Sequence, residues 1–279
     1  MRTIDASLIT ETVEKLCLDA NYFLNEDVYN ALCTAAHSEN ELAAEVLNTL
    51  VENADLAREK EVAMCQDTGM AVVFVEIGQE LKISGGLLSD AINEGVRRGY
   101  EKGYLRKSVV IDPINRVNTK DNTPAVIHYD IVGGDSLKII LAPKGFGSEN
   151  KSGVKMLEPS AGLSGVMDFV VDVVQKGGAS ACPPLVVGVG IGGTMEKAAL
   201  LSKTALLREI GRPNGSEFWQ DIEEQLKNRI NQLGIGPSGL GGKTTALCVN
   251  IETYPTHIAG LPVAVNLCCH ASRHAEAIL

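Results

Sequence analysis

Apolar positions in the first 64 residues recur at helical spacing. Ile4, Leu8, Val13, Leu16 and Cys17 follow one repeat, and Val28, Leu32 and Cys33 another. That is the period of helices with one buried face. Asn40 is placed to cap a third helix running through Leu42, Val46, Leu50 and Val51 towards Lys60. The texture then changes. Polar Cys65-Gln66-Asp67-Thr68-Gly69 precedes a β-branched run from Val72 to Ile77, which predicts a buried strand. A helix is expected from Leu88 to Gly99, then a loop holding Asp112-Pro113, Asn118 and Asn122. Ala125 to Val132 and Leu137 to Leu141 flank Gly133-Gly134-Asp135 and read as a hairpin. After the polar loop from Lys144 to Lys151, helices are expected at Leu163 to Val174, Met195 to Leu207 and Glu217 to Leu233. Strands are expected at Leu185 to Val189, Ala246 to Ile251 and Pro262 to Leu267.

These elements predict a mixed α/β fold: a mainly helical region over 1–64, then a mixed β-sheet region with covering helices over 65–279. No internal repeat or low-complexity linker divides the chain, so a single domain over 1–279 is the expectation. The 279 residues, 45% of them hydrophobic, supply an ample core. With 25 Lys and Arg against 35 Asp and Glu, the formal charge is −10. That balance argues against nucleic acid or an anionic membrane as the main partner. No signal-peptide pattern opens the chain and no membrane-spanning run follows, so the expectation is a soluble, cytoplasmic protein.

Two glycine-rich stretches invite a nucleotide reading. Gly188-Val189-Gly190-Ile191-Gly192-Gly193 fits G-x-G-x-x-G, yet Cys182-Pro183-Pro184 stands directly before its strand and no second βαβ unit follows. A tight strand-to-helix turn, or a helix start that receives an anion, is the expected reading. Gly236 to Thr244 resembles a P-loop but has Pro237 where the first glycine is required. Lys243 within it, beside a run of backbone amides, could still hold a carboxylate or structure a loop.

Seven cysteines are an odd, widely spaced set in a chain too large to need disulfide staples. Cys17, Cys33 and Cys248 fall among apolar neighbours and read as packing residues. Cys65, Cys182 and Cys269 each lie at the edge of an element among Gly, Pro or polar residues, the setting of metal or cluster ligands. Cys268, Cys269, His270 and His274 raise zinc as an alternative, although adjacent cysteines are poorly disposed around a tetrahedron.

Six blocks then occur in order: Cys65-Gln-Asp-Thr-Gly69, Lys144-Gly-Phe-Gly-Ser-Glu-Asn-Lys151, Ala181-Cys-Pro-Pro184, Gly192-Gly-Thr194, Gly241-Gly-Lys243 and Cys269-His-Ala-Ser-Arg273. In these the chain resembles, over nearly its whole length, the α subunits of iron–sulfur class I fumarate hydratases and the related L(+)-tartrate dehydratases. The resemblance implies a [4Fe-4S] cluster held by Cys65, Cys182 and Cys269, its fourth iron lacking a protein ligand. The frame Cys-x-Ala-x-Arg selects Cys269 over Cys268. An open iron is a Lewis acid, able to make a substrate hydroxyl a better leaving group. Asp67 resembles the family's acid/base aspartate; the lesser alternative is a turn residue capping Gly69. His257 matches a family histidine in the frame His257-x-Ala259-x-x-Pro262-Val263. Arg106, Gln66 and the amide of Gly147 resemble substrate contacts, with Lys243 and Arg273 as further carboxylate donors.

Single-chain relatives carry a second, C-terminal domain that adds basic and hydroxyl residues to the site. Here the sequence ends at Leu279, so the resemblance implies a separate β subunit and an α2β2 assembly. The expected activity is reversible hydration of fumarate to L-malate. L(+)-tartrate dehydration is the alternative, and a non-catalytic iron–sulfur redox sensor is a rival of another class.

Overall fold

The structure, a computed structural model, describes residues 2–279. Its elements in chain order are β1 (Arg2–Asp5), α1 (Ala6–Tyr22), α2 (Glu26–Ser38), α3 (Glu41–Lys60), β2 (Met70–Gly78), β3 (Leu81–Ser84), α4 (Leu88–Lys102), β4 (Val126–Val132), β5 (Leu137–Lys144) and α5 (Phe146–Glu149). Then follow β6 (Gly153–Leu157), α6 (Gly162–Gly177), β7 (Leu185–Gly192), α7 (Met195–Ala205), α8 (Glu217–Asn231), β8 (Ala246–Tyr254), β9 (Leu261–Cys268) and β10 (Ala275–Ile278). The fold is α/β with a helical N-terminal region, as the sequence pattern predicts. The chain forms two compact units, each assembled from separated segments: residues 1–24, 54–146 and 273–279 in one, 25–53 and 147–272 in the other.

The first unit is built on a four-stranded sheet ordered β10-β5-β2-β4. β2 pairs parallel with β4 and antiparallel with β5. The expected hairpin is therefore corrected: β4 and β5 are not neighbours, because β2 lies between them. β2 buries Ala71, Val72, Val73 and Val75, whereas Val126, Tyr129 and Ile131 of β4 are exposed. The more apolar strand takes the centre and the half-polar one the edge. The connection from β4 to β5 passes over the end of β2, where Gly78 donates to Ser136 (2.8 Å) and Glu80 to Gly134 (2.9 Å).

Helices α1 and α4 cover this sheet through Ile9, Val13, Cys17, Ile92, Val96 and Tyr100. They approach closely because Gly95 and Gly99, one turn apart, face α1. A Cβ there would stand 2.6 Å from the Cβ atoms of Val13 and Cys17. Two N-terminal expectations shift. Ile4 belongs to β1, which pairs parallel with β3, and Leu8 is exposed while Ile9 is buried.

The second unit is built on the sheet β6-β9-β7-β8, with β7 parallel to β8 and antiparallel to β9. All eight residues of β7 are buried. Its odd positions Val187, Val189 and Ile191 join Val170, Val174, Leu226 and Ile230 of α6 and α8 in one core. Its even positions Gly188 and Gly190 lie under α7, where a Cβ would meet the carbonyls of Ser202 and Ala198 at 2.1 and 2.0 Å. The glycine repeat thus serves helix-on-strand packing, not a dinucleotide. Along α3 the buried positions are Ala43, Leu47, Ala54 and Ala57, with Leu42 exposed. The face is one residue out of step with the expected one, because small alanines, not the larger side chains, mark it.

Candidate active site

In the first unit the Cys65–Gly69 turn leads from α3 into β2. Asp67 is half-buried, and both its carboxylate oxygens accept backbone amides: Oδ1 from Gly69 (3.1 Å) and Oδ2 from Phe146 (2.9 Å). Two glycines make this possible. Gly69 has φ +77° and sits so close to Lys144 that a Cβ would be 2.7 Å from its nitrogen. A Cβ on Gly145 would be 3.2 Å from Asp67 Oδ2. The Asp67 amide donates to Cys65 Sγ at 3.4 Å. Thr68 Oγ1 accepts from the Arg106 amide (2.9 Å) and donates to the Arg106 carbonyl (3.3 Å). Arg106 and Gln66 are exposed. One turn therefore collects a thiol, a carboxylate and an amide, with a guanidinium-bearing residue tied to it.

Arg273 belongs to this unit but is only 6% exposed. Its Nη2 donates to the Asp67 carbonyl (2.9 Å) and to Asn21 Oδ1 (3.3 Å), not to an exposed face.

In the second unit Cys182 is exposed and lies just before β7 with φ +55°, an uncommon conformation for a residue with a side chain. The His270 amide and ring Nδ1 meet the Cys182 carbonyl at 3.2 and 3.1 Å, so the turn after β9 that carries Cys269 adjoins the Cys182 turn. Cys268 is the last residue of β9, and its side chain packs with Val186, Leu206 and Cys248. Cys269, one residue past the strand, is half-exposed. A one-residue step reverses side-chain direction in extended chain, which separates the two.

Lys243 lies in the loop before β8. Its amide and that of Thr244 hold the two carboxylate oxygens of Glu39, and its Nζ donates to the Ser38 carbonyl (3.0 Å). Partial burial pushes Glu39 up, but these hydrogen bonds outweigh it and leave its carboxyl below the usual range. The P-loop look-alike thus holds an internal carboxylate. His257 is exposed, its Nδ1 accepting from the Ala259 amide (3.2 Å), on a surface hollow of about 470 Å³ lined by Thr194, Lys197 and Tyr254. Gly147 sits exposed in the short α5 turn.

The seven thiols sort by environment. Burial pushes Cys17 up and Cys248 up to about 12, so both stay protonated and are poor ligands. Cys65, Cys182 and Cys269 are exposed or half-exposed and lie in turns, and Cys65 Sγ accepts a hydrogen bond from the Asp67 amide. Soft thiols in turns of polar backbone, Cys65 in the first unit and Cys182 and Cys269 in the second, are of the type that iron–sulfur groups take as ligands. Within the described residues no group of three or more His, Cys, Asp or Glu side chains is arranged to hold a single metal ion, and Cys268 faces an apolar cluster. No helix among the described residues is long and apolar enough to cross a membrane.

Sequence reasoning passed over Tyr100 and Asn122, which are buried and bond to the carbonyls of the Asp67 turn. Neither falls in a recognisable motif; a tyrosine on the apolar face of α4 was the one available signal.

Residues 10–278 match the family described as Fumarate hydratase (Fumerase). A protein of Methanocaldococcus jannaschii, provisionally named L(+)-tartrate dehydratase subunit alpha, is 42% identical over 274 residues, covering 96% of each chain. L(+)-tartrate dehydratase subunit alpha of Escherichia coli is 33% identical over 270 residues, covering 95% of this chain and 88% of its own. The protein of that name from Shigella sonnei is 32% identical over 270 residues, with the same coverage. A family match over residues 10–278, with one relative at 42% identity and others at 32–33%, places the chain in the fumarate hydratase family of hydro-lyases.

Proposed function

We propose that this chain is the α subunit of a [4Fe-4S] hydro-lyase that reversibly hydrates fumarate to L-malate. The observation that carries the reading is the Asp67 turn. It places a carboxylate, fixed by two amides, two residues from an amide-bonded cysteine, with Arg106 locked to the residue between Asp67 and Gly69.

Cys65, Cys182 and Cys269 would hold the cluster, which when bound supplies a Lewis acid to polarise a substrate hydroxyl. Around it this chain's own groups act. Hydration adds hydroxide to one alkene carbon and a proton to its neighbour; the reverse removes both. Asp67 is assigned the proton at one of these centres, its orientation set before substrate arrives by Gly69 and Phe146. His257 is assigned the second proton-handling role. Arg106 presents a planar fork to a substrate carboxylate, supported by Gln66 and the Gly147 amide. Lys243 and Arg273 have donors engaged on Ser38 and Asp67, so they serve the reading as supports of these loops.

The relatives are named as α subunits, which supports a β partner that completes the site, in an α2β2 assembly. The same names favour a second reading, dehydration of L(+)-tartrate to oxaloacetate.

The decisive experiment is anaerobic co-production with the β partner, followed by assays with malate and with tartrate. Turnover of malate is expected, with Asp67→Asn lowering kcat by about a hundredfold or more. Turnover of tartrate alone would select the second reading. A cluster-bearing complex without hydro-lyase activity, indifferent to Asp67→Asn, would favour the redox sensor.

A further inference from the structure

Three consecutive carbonyls of the Asp67 turn have no strand partner, because β2 begins only at Met70. Each is instead met by a buried side chain from a different part of the first unit. Arg273 Nη2 donates to the Asp67 carbonyl at 2.9 Å. The Tyr100 hydroxyl, on α4, lies 2.8 Å from the Thr68 carbonyl and 3.0 Å from that of Gly69. Asn122 Nδ2, from the loop before β4, donates to the Gly69 carbonyl at 3.2 Å.

We propose that Tyr100, Asn122 and Arg273 are positioning residues that fix the Asp67 carboxylate and the Cys65 thiol through the main chain of their turn. The proposal rests on the hydro-lyase reading and deepens it. Arg273, read from sequence as a carboxylate donor, becomes a support beneath the acid/base residue.

Energetics argue for a dedicated arrangement. A buried polar side chain costs stability unless its hydrogen bonds are made. Tyr100 and Asn122 are fully buried and Arg273 nearly so, yet all three converge on one short turn. Their orientations are set in turn by further partners. Asn122 Oδ1 accepts from the Ser108 amide (2.7 Å), which fixes which end of its amide faces Gly69. Arg273 also reaches Asn21 Oδ1, and Asn21 Nδ2 donates to the Cys17 carbonyl in α1 (2.9 Å). Burial pushes the Tyr100 hydroxyl up, so it remains a donor at any working pH. With all three carbonyls drawn inward, Cys65, Gln66 and the Asp67 carboxylate are left on the more exposed side. A carboxylate misplaced by an ångström loses much of its catalytic value.

The test uses the assembled αβ enzyme carrying Tyr100→Phe, which keeps the ring and removes the donor. Expected are a fall in kcat of about ten- to a hundredfold, KM within about twofold, unchanged iron content and cluster absorbance, and amide exchange at 66–69 faster by about tenfold. Amides of β7 should exchange as in the wild type. Arg273→Lys should retain more kcat than Arg273→Ala, since one donor remains. Unchanged kcat with unchanged exchange at 66–69 overturns the proposal. So does loss of iron with faster exchange throughout, which marks a merely structural role. If the wild-type complex turns over neither malate nor tartrate, the functional reading falls, while the exchange data still decide whether the side chains fix the turn.

Discussion

Cys268 and Cys269 are neighbours with opposite fates. Cys268 ends β9 and packs against Val186, Leu206 and Cys248; Cys269 begins the turn that meets Cys182 through His270. Cys269→Ala is therefore expected to lose bound iron after anaerobic reconstitution. Cys268→Ala should keep it and cost about 1–2 kcal/mol, the scale of a small buried deletion. Iron content and a denaturant midpoint check both, and iron loss from Cys268→Ala would reverse the assignment. At this scale the sequence shows residue types and spacing. Cys65, Asp67, Cys182 and Cys269 stand in short motifs whose residue types match ligand and acid/base chemistry. What it could not carry is the set of partners beneath them. Tyr100 and Asn122 lie 31 or more residues from the turn along the chain, and only the fold brings them to its carbonyls.

Elements were legible where periodicity was strong. The helices of the first 64 residues and the strands at β2, β7, β8 and β9 follow from apolar repeats alone. The failure at β4 and β5 has a clear cause. Two alternating segments around Gly133-Gly134 look the same whether they pair directly or straddle a third strand, because pairing is decided by the apolar content of β2, far earlier in the chain. Short strands β1, β3, β6 and β10 carry too few residues to show a period. The glycine run of β7 misleads for a related reason: a motif reports spacing, not what packs above it. Gly190→Ala would force a Cβ to within 2.0 Å of the Ala198 carbonyl. We expect it to push α7 off the sheet and destabilise by about 1–3 kcal/mol or more, visible as a lowered denaturant midpoint. An unchanged midpoint would contradict the close helix-on-strand packing.

At the scale of the whole molecule, neither compact unit is a continuous stretch of sequence. The backbone crosses from one to the other at 24/25, 53/54, 146/147 and 272/273. Cutting at 146/147 removes the strand β10 from the first unit, so a fragment of residues 1–146 is expected to stay unfolded. Circular dichroism on the fragment answers this; a folded fragment would show that the first unit holds together without β10. The formal charge of −10 is also a property of the whole. On the proposed hydro-lyase reading, an anionic substrate would have to be drawn in by local donors such as Arg106 against that background.

The pairing of β10 with β5, closed by reciprocal hydrogen bonds between Leu137 and Leu279 at 2.9 and 2.8 Å, has a consequence for how the protein is made. The residues that cover one edge of the first sheet are synthesised more than a hundred positions after the strand they cover. During translation the second unit's segments emerge complete while β5 waits with an uncovered edge, the kind of edge that recruits other chains. Slow elongation between β5 and β10 would lengthen that exposure, and a chaperone that shields strand edges would matter most for the nascent chain before β10 emerges.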